Sequence, residues 1–392
     1  MRVIPSKSYM HRALICASLA DKPTVLHCPR SNRDIWATAG CLSALGAEIR
    51  EEKGVYTVFP VAKKEEAADL CCEESGSTLR FMLPVTAALG RKAVFHAKGR
   101  LSARPLSPLY EELVRHGVTL SPNGVFPLSM EGQLTAGDFT LDGSVSSQFF
   151  TGLLLGLPLL PAASRITVSG RLESAPYVAL TCAVMKEFGV EPVVTESEML
   201  VSPAPFRSPG ELYAEGDWSN AAFWMCARAL GSEVEVIDLS MNSMQGDRAV
   251  MRVLDDMRGP DGRLVGTHVD ASDIPDLVPI LSVVAAAAPG TTRIYNAARL
   301  RLKESDRIET VHRLLGGLGA DVEETEDSLL IHGGKPLIGR TVDSYNDHRI
   351  AMSAAIASIL CKGEVTVTDA EAVNKSYPRF WREFYQLTMM DY

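Results

Sequence analysis

Several signals that assign a protein to a class at first sight are missing from this sequence. The eight cysteines among its 392 residues include no C-x-x-C pair, which excludes a zinc ribbon or a thioredoxin-like redox site. The P-loop pattern G-x-x-x-x-G-K-[ST] and the zinc-protease pattern H-E-x-x-H are also lacking. The most apolar run, residues 149–163, is shorter than the ~20 residues of a membrane span and contains two prolines.

The sequence has fewer positively charged than negatively charged residues. Lysine and arginine number 39 against 48 aspartate and glutamate residues, so the net charge is −9. Non-specific binding to nucleic acid or to an anionic membrane needs the opposite sign. We therefore expect a cytoplasmic protein with reduced thiols and with neither a nucleic-acid nor a membrane partner. Hydrophobic residues make up 46% of the chain, which is ordinary globular composition for two or three domains.

A long-period repeat runs through the chain. Ala/Leu-rich helical stretches lead into short β-branched strands, and a second helix that ends on glycine, as at Gly46 and Gly319, follows most of them. The strands recur every 58 to 73 residues, beginning at Thr24, Ala93, Ile166, Val234, Thr292 and Val365. Solenoid repeats are shorter than this, so the pattern indicates six larger α/β (α+β) units. The fourth unit is short, because RGPDGRLVG replaces a strand hairpin.

Six units suit two lobes of three. A proline-bearing stretch, residues 203–209, precedes the fourth unit and indicates a boundary near Gly216. The prediction is an N-terminal lobe of residues 7–215 and a C-terminal lobe of residues 1–6 and 216–392. Two lobes joined by few chain crossings favour a central cleft that opens and closes.

Polar segments of a similar kind start the first helix of each unit. They are Ser6-Lys7-Ser8, Ser75 to Thr78, Ser144 to Ser147, Gly216 to Ser219, Ala271-Ser272-Asp273 and Tyr345-Asn346-Asp347. These residues are good N-caps, and capping alone would explain them. Cations nearby are harder to explain, because positive charge is unfavourable at a helix N-terminus. Examples are Lys7, Arg12 and Arg80. A pocket for phosphate and carboxylate groups would explain them, although surface salt bridges stay open as an alternative.

The densest charged motif is Leu302 to Arg307, LKESDR. If it forms a helix start, Lys303 and Arg307 share one face and Glu304 turns away. Two cations on one face repel each other unless an anion bridges them. A simple charged helix start is the alternative.

Nine motifs in order then make the chain identifiable. It resembles the 5-enolpyruvylshikimate-3-phosphate synthases, or 3-phosphoshikimate 1-carboxyvinyltransferases, of the enolpyruvyl transferase family. The resemblance covers nearly the whole chain, and that family has two lobes of three βαβαββ units around a cleft. The motifs are PSKSYMHR from Pro5, SGSTLRF from Ser75, ARP from Ala103, SSQF from Ser146, SAPY from Ser174, IPDL from Ile274, LKESDR from Leu302, NDHR from Asn346 and KSYP from Lys375.

The resemblance implies a reaction and a set of site residues. The enolpyruvyl group of phosphoenolpyruvate moves to the 5-hydroxyl of shikimate 3-phosphate, and phosphate is released. Residues implied to bind shikimate 3-phosphate are Lys7, Ser8, Arg12, Ser146, Ser147, Gln148, Ser174, Tyr177, Asp276 and Lys303. Those implied to bind phosphoenolpyruvate are Lys7, Gly76, Arg104, Gln148, Arg307, Arg349 and Lys375. Asp276, Glu304 and Lys7 are the candidates for proton transfer. No metal or organic cofactor is implied, and we expect a monomer.

Two alternatives remain at this point. The UDP-N-acetylglucosamine enolpyruvyl transferases share the fold and the donor, but they usually carry a reactive cysteine before the arginine that matches Arg104. The segment from Lys98 to Ala103 contains none. A non-catalytic protein that binds phosphorylated metabolites would keep the cations, but it would not need both Asp276 and Glu304.

Overall fold

A computed structural model describes residues 1–62 and 67–388 of the protein. The chain divides into two compact units, and it passes between them twice. The N-terminal unit is Pro5–Glu215, and the C-terminal unit is Met1–Ile4 with Gly216–Tyr392. The predicted lobes differ from these units at Pro5 and Ser6. Ser6 caps the first helix of the N-terminal unit, because its hydroxyl accepts from the backbone N–H of Tyr9.

The described residues of the N-terminal unit form six α-helices. Ser75 and Ser146 cap two of them, as predicted, each through a side-chain oxygen that accepts a backbone N–H. Gly46 follows one helix with φ of 111°, a conformation that a residue with a side chain rarely adopts. The helices are α1 (Lys7–Leu19), α2 (Arg33–Ala44), α3 (Gly76–Ala88), α4 (Leu109–Arg115), α5 (Ser147–Gly156) and α6 (Ala175–Glu187).

Three four-stranded sheets complete the part of this unit that the structure describes. Their orders are β12-β1-β3-β2, β4-β5-β7-β6 and β10-β11-β9-β8, and each contains one parallel pair. The predicted strands at Thr24, Ala93 and Ile166 are β1, β5 and β9, each inside its sheet. The strands are β1 (Thr24–His27), β2 (Glu48–Glu52), β3 (Val55–Phe59), β4 (Ala68–Cys71), β5 (Ala93–His96), β6 (Val118–Leu120), β7 (Leu128–Gly132), β8 (Asp138–Asp142), β9 (Ser164–Ser169), β10 (Val193–Val194), β11 (Glu198–Val201) and β12 (Glu211–Tyr213).

The C-terminal unit is less regular. It has one four-stranded sheet, β13-β14-β16-β15, and two parallel pairs, β17-β19 and β18-β20. Its helices are α7 (Trp218–Ala229), α8 (Val250–Asp256), α9 (Val278–Ala287), α10 (Arg307–Gly317), α11 (His348–Ser358) and α12 (Phe380–Thr388). Its strands are β13 (His268–Asp270), β14 (Gly290–Tyr295), β15 (Asp321–Glu324), β16 (Leu329–Gly333), β17 (Leu337–Ile338), β18 (Thr341–Asp343), β19 (Cys361–Lys362) and β20 (Thr366–Thr368).

Two local predictions in this unit are wrong. No strand forms at Val234. Ile237 makes an isolated bridge to Arg2, and this pairing with residues 1–3 is too short to build a strand ladder. The predicted helix start at residues 271–273 is also displaced, since α9 begins at Val278 after a 3₁₀ turn. Ser272 instead donates its backbone N–H to Asp270 Oδ1 at 2.9 Å, and such local bonds compete with helix capping.

Each unit has an apolar core of its own, which holds the helix starts in place. The N-terminal core draws on residues 10–206, and the C-terminal core on Ile4 and residues 218–384. Among the residues that the structure describes, no helix has the length and apolar character needed to cross a membrane.

Candidate active site

In the N-terminal unit, the start of α1 carries Lys7 beside a carboxylate. Lys7 Nζ lies 2.9 Å from Asp34 Oδ2, and both side chains are largely buried. Asp34 is in the first turn of α2, where a negative charge is favoured by the helix dipole. Asp34 was not predicted from the sequence, because a single acid in a first turn is the usual pattern for any helix.

Arg12, one turn further along α1, is 2% exposed and binds neutral acceptors on three helices. Its guanidinium donates to Ser8 O at 2.7 Å, to Thr181 Oγ1 at 2.8 Å and to Tyr177 O at 3.0 Å. A longer contact of 3.4 Å reaches Thr151 Oγ1. Burial lowers the pKa of Arg12 to about 10, so the group is still positive at neutral pH. The guanidinium thus holds α1, α5 and α6 together.

The start of α3 approaches a second cation closely. A Cβ atom at Gly76 would lie 2.8 Å from Nη1 of Arg104, which is closer than van der Waals contact. Any side chain at this position would therefore displace the guanidinium. Arg104 itself follows a 3₁₀ helix, Gly99–Ala103. Gly76 and Arg104, both of which the resemblance implies for phosphoenolpyruvate binding, therefore lie next to each other.

Serines and an amide occupy the start of α5. Ser146 caps the helix, Ser147 is buried, and Gln148 Nε2 donates to Ser77 Oγ at 3.0 Å. Ser174 precedes α6 with φ of 55°, a left-handed conformation that costs free energy in a residue other than glycine and that is concentrated at functional sites. The predicted site residues of this unit are called the N-terminal cluster below. They are Lys7, Ser8, Arg12, Gly76, Arg104, Ser146, Ser147, Gln148, Ser174 and Tyr177.

In the C-terminal unit, Asp276 lies among three cations. Its Oδ1 is 2.8 Å from Arg307 Nη1 and 3.6 Å from Lys303 Nζ, and its Oδ2 accepts from Arg349 Nη2 at 3.0 Å. Burial alone would raise the pKa of Asp276. The attraction of Arg349, Lys303 and Arg307 outweighs burial and holds that pKa well below its usual range, so the carboxylate is ionised.

Arg307 is 1% exposed and touches three carboxylates. Besides Asp276, it donates to Glu304 Oε2 at 2.9 Å and to Asp347 Oδ2 at 2.8 Å. Burial opposes the charge on Arg307, but these carboxylates raise its pKa above the usual value. The expectation of a helix that carries both Lys303 and Arg307 is wrong, because α10 begins at Arg307 and Lys303 lies in a bend. The anion that bridges the two cations is Asp276.

The remaining predicted residues of this unit lie at element ends. Arg349 is in the first turn of α11, and its backbone N–H donates at 2.9 Å to the capping residue Asp347. Lys375 ends the 3₁₀ helix Ala370–Lys375 and is buried. Burial lowers the pKa of Lys303 to about 8, with Asp276 opposing that shift. Asp276, Lys303, Glu304, Arg307, Arg349 and Lys375 are called the C-terminal cluster below.

The whole chain matches one family. A family model described as EPSP synthase (3-phosphoshikimate 1-carboxyvinyltransferase) covers residues 1–384. The chain belongs to the EPSP synthase family. A 3-phosphoshikimate 1-carboxyvinyltransferase of Clostridium acetobutylicum is 41% identical over 403 residues, with 99% of this chain and 94% of the relative covered. The enzyme of that name from Clostridioides difficile is 37% identical over 412 residues, with the same coverage of each chain.

Solved EPSP synthase structures share the fold. One from Acinetobacter baumannii has a TM-score of 0.80 and 24% identity, with 98% of this chain and 94% of that chain covered. At this identity, the likeness bears on the fold alone. It confirms the predicted mixed α/β architecture of the EPSP synthase family.

One buried carboxylate in this family member escaped the sequence analysis. Asp247, just before α8, is 1% exposed, and Ser219 at the start of α7 donates its hydroxyl to Asp247 Oδ2. Its Oδ1 has no hydrogen-bond partner in the described part of the chain. Burial and then the charge of Asp276 raise the pKa of Asp247 to about 7, while Arg349 opposes that rise. The segment SMQGD offers no spacing or charge pattern that would have pointed to this residue.

Proposed function

We propose that the protein transfers the enolpyruvyl group of phosphoenolpyruvate to the 5-hydroxyl of shikimate 3-phosphate and releases phosphate. The observation that carries this proposal is the EPSP synthase family match across residues 1–384, and the burial or half-burial of all the proposed site residues supports it. The product of this reaction belongs to the shikimate pathway of aromatic amino acid biosynthesis.

We propose that shikimate 3-phosphate is bound by both hydroxyl and cationic groups. The serines at the starts of α5 and α6 supply hydroxyls, and the starts of the helices supply backbone N–H groups, which favour phosphate. Lys303 and Lys7 supply positive charge, and Asp276 accepts from the sugar-like ring hydroxyl. The full proposed set is Lys7, Ser8, Arg12, Ser146, Ser147, Gln148, Ser174, Tyr177, Asp276 and Lys303.

Phosphoenolpyruvate, with a phosphate and a carboxylate, needs several cations. Arg307 and Arg349 suit this role, since the carboxylates behind them fix the planes of their guanidinium groups. Gly76 lets Arg104 approach the start of α3. The full proposed set is Lys7, Gly76, Arg104, Gln148, Arg307, Arg349 and Lys375.

The proposed chemistry is addition followed by elimination. The 5-hydroxyl oxygen attacks C2 of phosphoenolpyruvate, while a proton is added to the methylene carbon, which becomes a methyl group. The tetrahedral intermediate then loses a methyl proton and phosphate, and the enol double bond forms again. Asp276 accepts the hydroxyl proton, Glu304 delivers and later removes the carbon-bound proton, and Lys7 assists. Substrate anions that engage Arg307 and Arg349 would weaken their hold on Asp276 and raise its basicity.

A phosphate-release assay tests this proposal. Phosphate should appear only when phosphoenolpyruvate and shikimate 3-phosphate are both present, and the product should carry a vinyl ether. Release of phosphate with UDP-N-acetylglucosamine in place of shikimate 3-phosphate would assign the chain to the UDP-N-acetylglucosamine enolpyruvyl transferase reaction. Binding of both metabolites without any release of phosphate would make it a non-catalytic binding protein.

Two further expectations concern the whole protein. All eight cysteines are free thiols, which fits the reducing cytoplasm that we propose as its location. The expected monomer stays a prediction, and light scattering coupled to size-exclusion chromatography would check it.

A further inference from the structure

A third arginine of the N-terminal unit, Arg80, is outside both proposed binding sets. It lies in the second turn of α3 and is 3% exposed. A buried guanidinium is costly unless its donors are used. The bonds that it makes connect it to two segments that carry proposed substrate-binding residues.

The first bond determines the orientation of an amide. Arg80 Nη1 donates to Gln148 Oε1 at 2.7 Å. A guanidinium can only donate, so the oxygen of the amide must face it and the NH₂ group must face the other way. Gln148 Nε2 accordingly donates to Ser77 Oγ at 3.0 Å. A flipped amide would set two donors against each other.

The second bond holds the segment that carries Arg104. Arg80 Nη2 donates to Pro105 O at 2.8 Å, one residue beyond Arg104. The two acceptors, Gln148 Oε1 and Pro105 O, are about 43 residues apart in sequence, and the planar guanidinium of Arg80 donates to both. Lysine has a single ammonium group with no planar fork and cannot reproduce this geometry.

Packing leaves Arg80 little freedom to move. Its Cζ lies 5.3 Å from the centre of the Phe149 ring, within the range of a cation–π contact. A Cβ at Gly152 of α5 would lie 2.3 Å from the backbone oxygen of Arg80, so the two helices approach backbone to backbone. The guanidinium is therefore held against α5 on one side and bonded to Gln148 and Pro105 on the other.

We infer that Arg80 is a positioning residue for the transfer reaction, which sets the amide of Gln148 and the segment of Arg104 at the same time. The inference rests on the proposed function, since both partners are proposed substrate contacts. It predicts that loss of the planar fork weakens the binding of both substrates at once, because each proposed set contains Gln148 and the donor set also contains Arg104.

The test is steady-state kinetics of Arg80→Lys, after the wild-type enzyme has been shown to release phosphate. The variant should raise KM for both substrates, with a loss in kcat/KM of about 100-fold, the effect of a displacement of about 1 Å. Turnover at saturation should fall less. Arg91→Lys is the matched control, since exposed Arg91 also donates to a backbone oxygen, that of Ala62 at 2.8 Å, and it should leave both constants unchanged.

A double-mutant cycle separates positioning from general destabilisation. In a Gln148→Ala background, Arg80→Lys should add little to KM for shikimate 3-phosphate, but should still raise KM for phosphoenolpyruvate through Arg104. Wild-type KM values in Arg80→Lys, or fully additive effects on both substrates, would overturn the inference. An inactive wild-type enzyme would instead refute the proposed function.

A second variant keeps the inference testable if Arg80→Lys does not fold. Ser77→Ala removes the acceptor of the Gln148 NH₂ group but leaves Arg80 in place. If Arg80 holds the amide, KM for shikimate 3-phosphate should rise by no more than about threefold. A rise as large as that in Gln148→Ala would assign the amide to Ser77 and overturn the role of Arg80.

Discussion

In the N-terminal cluster Arg12 donates to hydroxyl and carbonyl oxygens, whereas in the C-terminal cluster Arg307 is surrounded by Asp276, Glu304 and Asp347. Both guanidinium groups are almost fully buried. A cation held by neutral acceptors keeps its whole charge available for a ligand. When a cation is paired with carboxylates, its positive charge is already balanced before a ligand binds. Such a cation contributes hydrogen-bond donors whose directions are fixed by the carboxylates.

This difference suggests different roles for the two clusters in the proposed reaction. Acids and bases that can move protons are concentrated in the C-terminal cluster, while serines, an amide and a glycine make up much of the N-terminal cluster. We therefore expect variants of the C-terminal cluster to change turnover and pH dependence, and variants of the N-terminal cluster to change the affinity for substrate.

The largest expected effect is that of Glu304→Gln. Glutamine keeps the shape and one acceptor oxygen but cannot carry the proton, so turnover should fall by roughly 10²–10⁴. Binding of both substrates should persist, since the arginines and lysines are unchanged. Steady-state kinetics and direct binding of shikimate 3-phosphate measure the two quantities.

Gln148→Ala in the N-terminal cluster is the contrasting variant. It should weaken binding of shikimate 3-phosphate and slow saturated turnover less. Should Glu304→Gln keep near-normal saturated turnover, Glu304 would be only the salt-bridge partner of Arg307, and the proposed division between the clusters would fail.

Next in size is the stability loss on removing each buried arginine. Arg307→Met removes the cation that contacts Asp276, Glu304 and Asp347 together. Although Lys303 and Arg349 still contact Asp276, this change should cost about 3–5 kcal/mol of the free energy of unfolding. Arg12→Met leaves only hydroxyl and carbonyl acceptors, for which about 1–3 kcal/mol is expected. Urea unfolding of both variants beside wild type gives the comparison. Equal losses would mean that pairing with carboxylates makes no difference to stability.

The pH dependence of kcat/KM tests the role of Lys303 in the C-terminal cluster. The pKa of Lys303 is about 8 in the free protein, so its charge is present below pH 8 and is lost above it. Because kcat/KM reports the ionisation of the free enzyme, its value for shikimate 3-phosphate should fall about tenfold per pH unit on the alkaline side. Lys303→Arg should move this limb to higher pH. An unchanged limb in that variant would assign the ionisation to another group.

The most gradual expected effect is a slope of stability with pH, which Asp247 produces. Its pKa is about 7 in the folded protein against 3.8 in the ordinary state, so the folded protein holds a proton there that the unfolded chain releases. Stability should therefore decline as pH rises from about 4 to 7, by at most about 1.4 kcal/mol per unit. Asp247→Asn should lack this decline and be the more stable protein at pH 8. Asp255→Asn, at an exposed aspartate of α8, should keep the wild-type slope.

Short-range features were predictable from the sequence, and long-range pairings were not. Capping by Ser6, Ser75 and Asp347 depends on a few adjacent residues, so local composition was enough. The strand expected at Val234 did not form because its backbone pairing with residues 1–3 is limited to one isolated bridge at Ile237. The family resemblance supplied Asp276 for the shikimate 3-phosphate set and Arg307 for the phosphoenolpyruvate set. The contacts of Arg307 with Asp276 and Asp347, together with the pairing of Lys7 with Asp34, depend on packing between segments that no spacing in the sequence encodes.

The return of residues 1–4 to the C-terminal unit fixes an order of events during synthesis. Met1 and Val3 pair with the backbone of Ile237, and Ile4 O accepts from the N–H of Asp217. At roughly 5–20 residues per second, residues 1–4 leave the ribosome on the order of ten to fifty seconds before their partners. The N-terminal unit is a contiguous insertion, and it can finish folding within that interval. Residues 1–4 thus wait for the second half of the chain, and the C-terminal unit can complete its fold only after the whole N-terminal unit has been made.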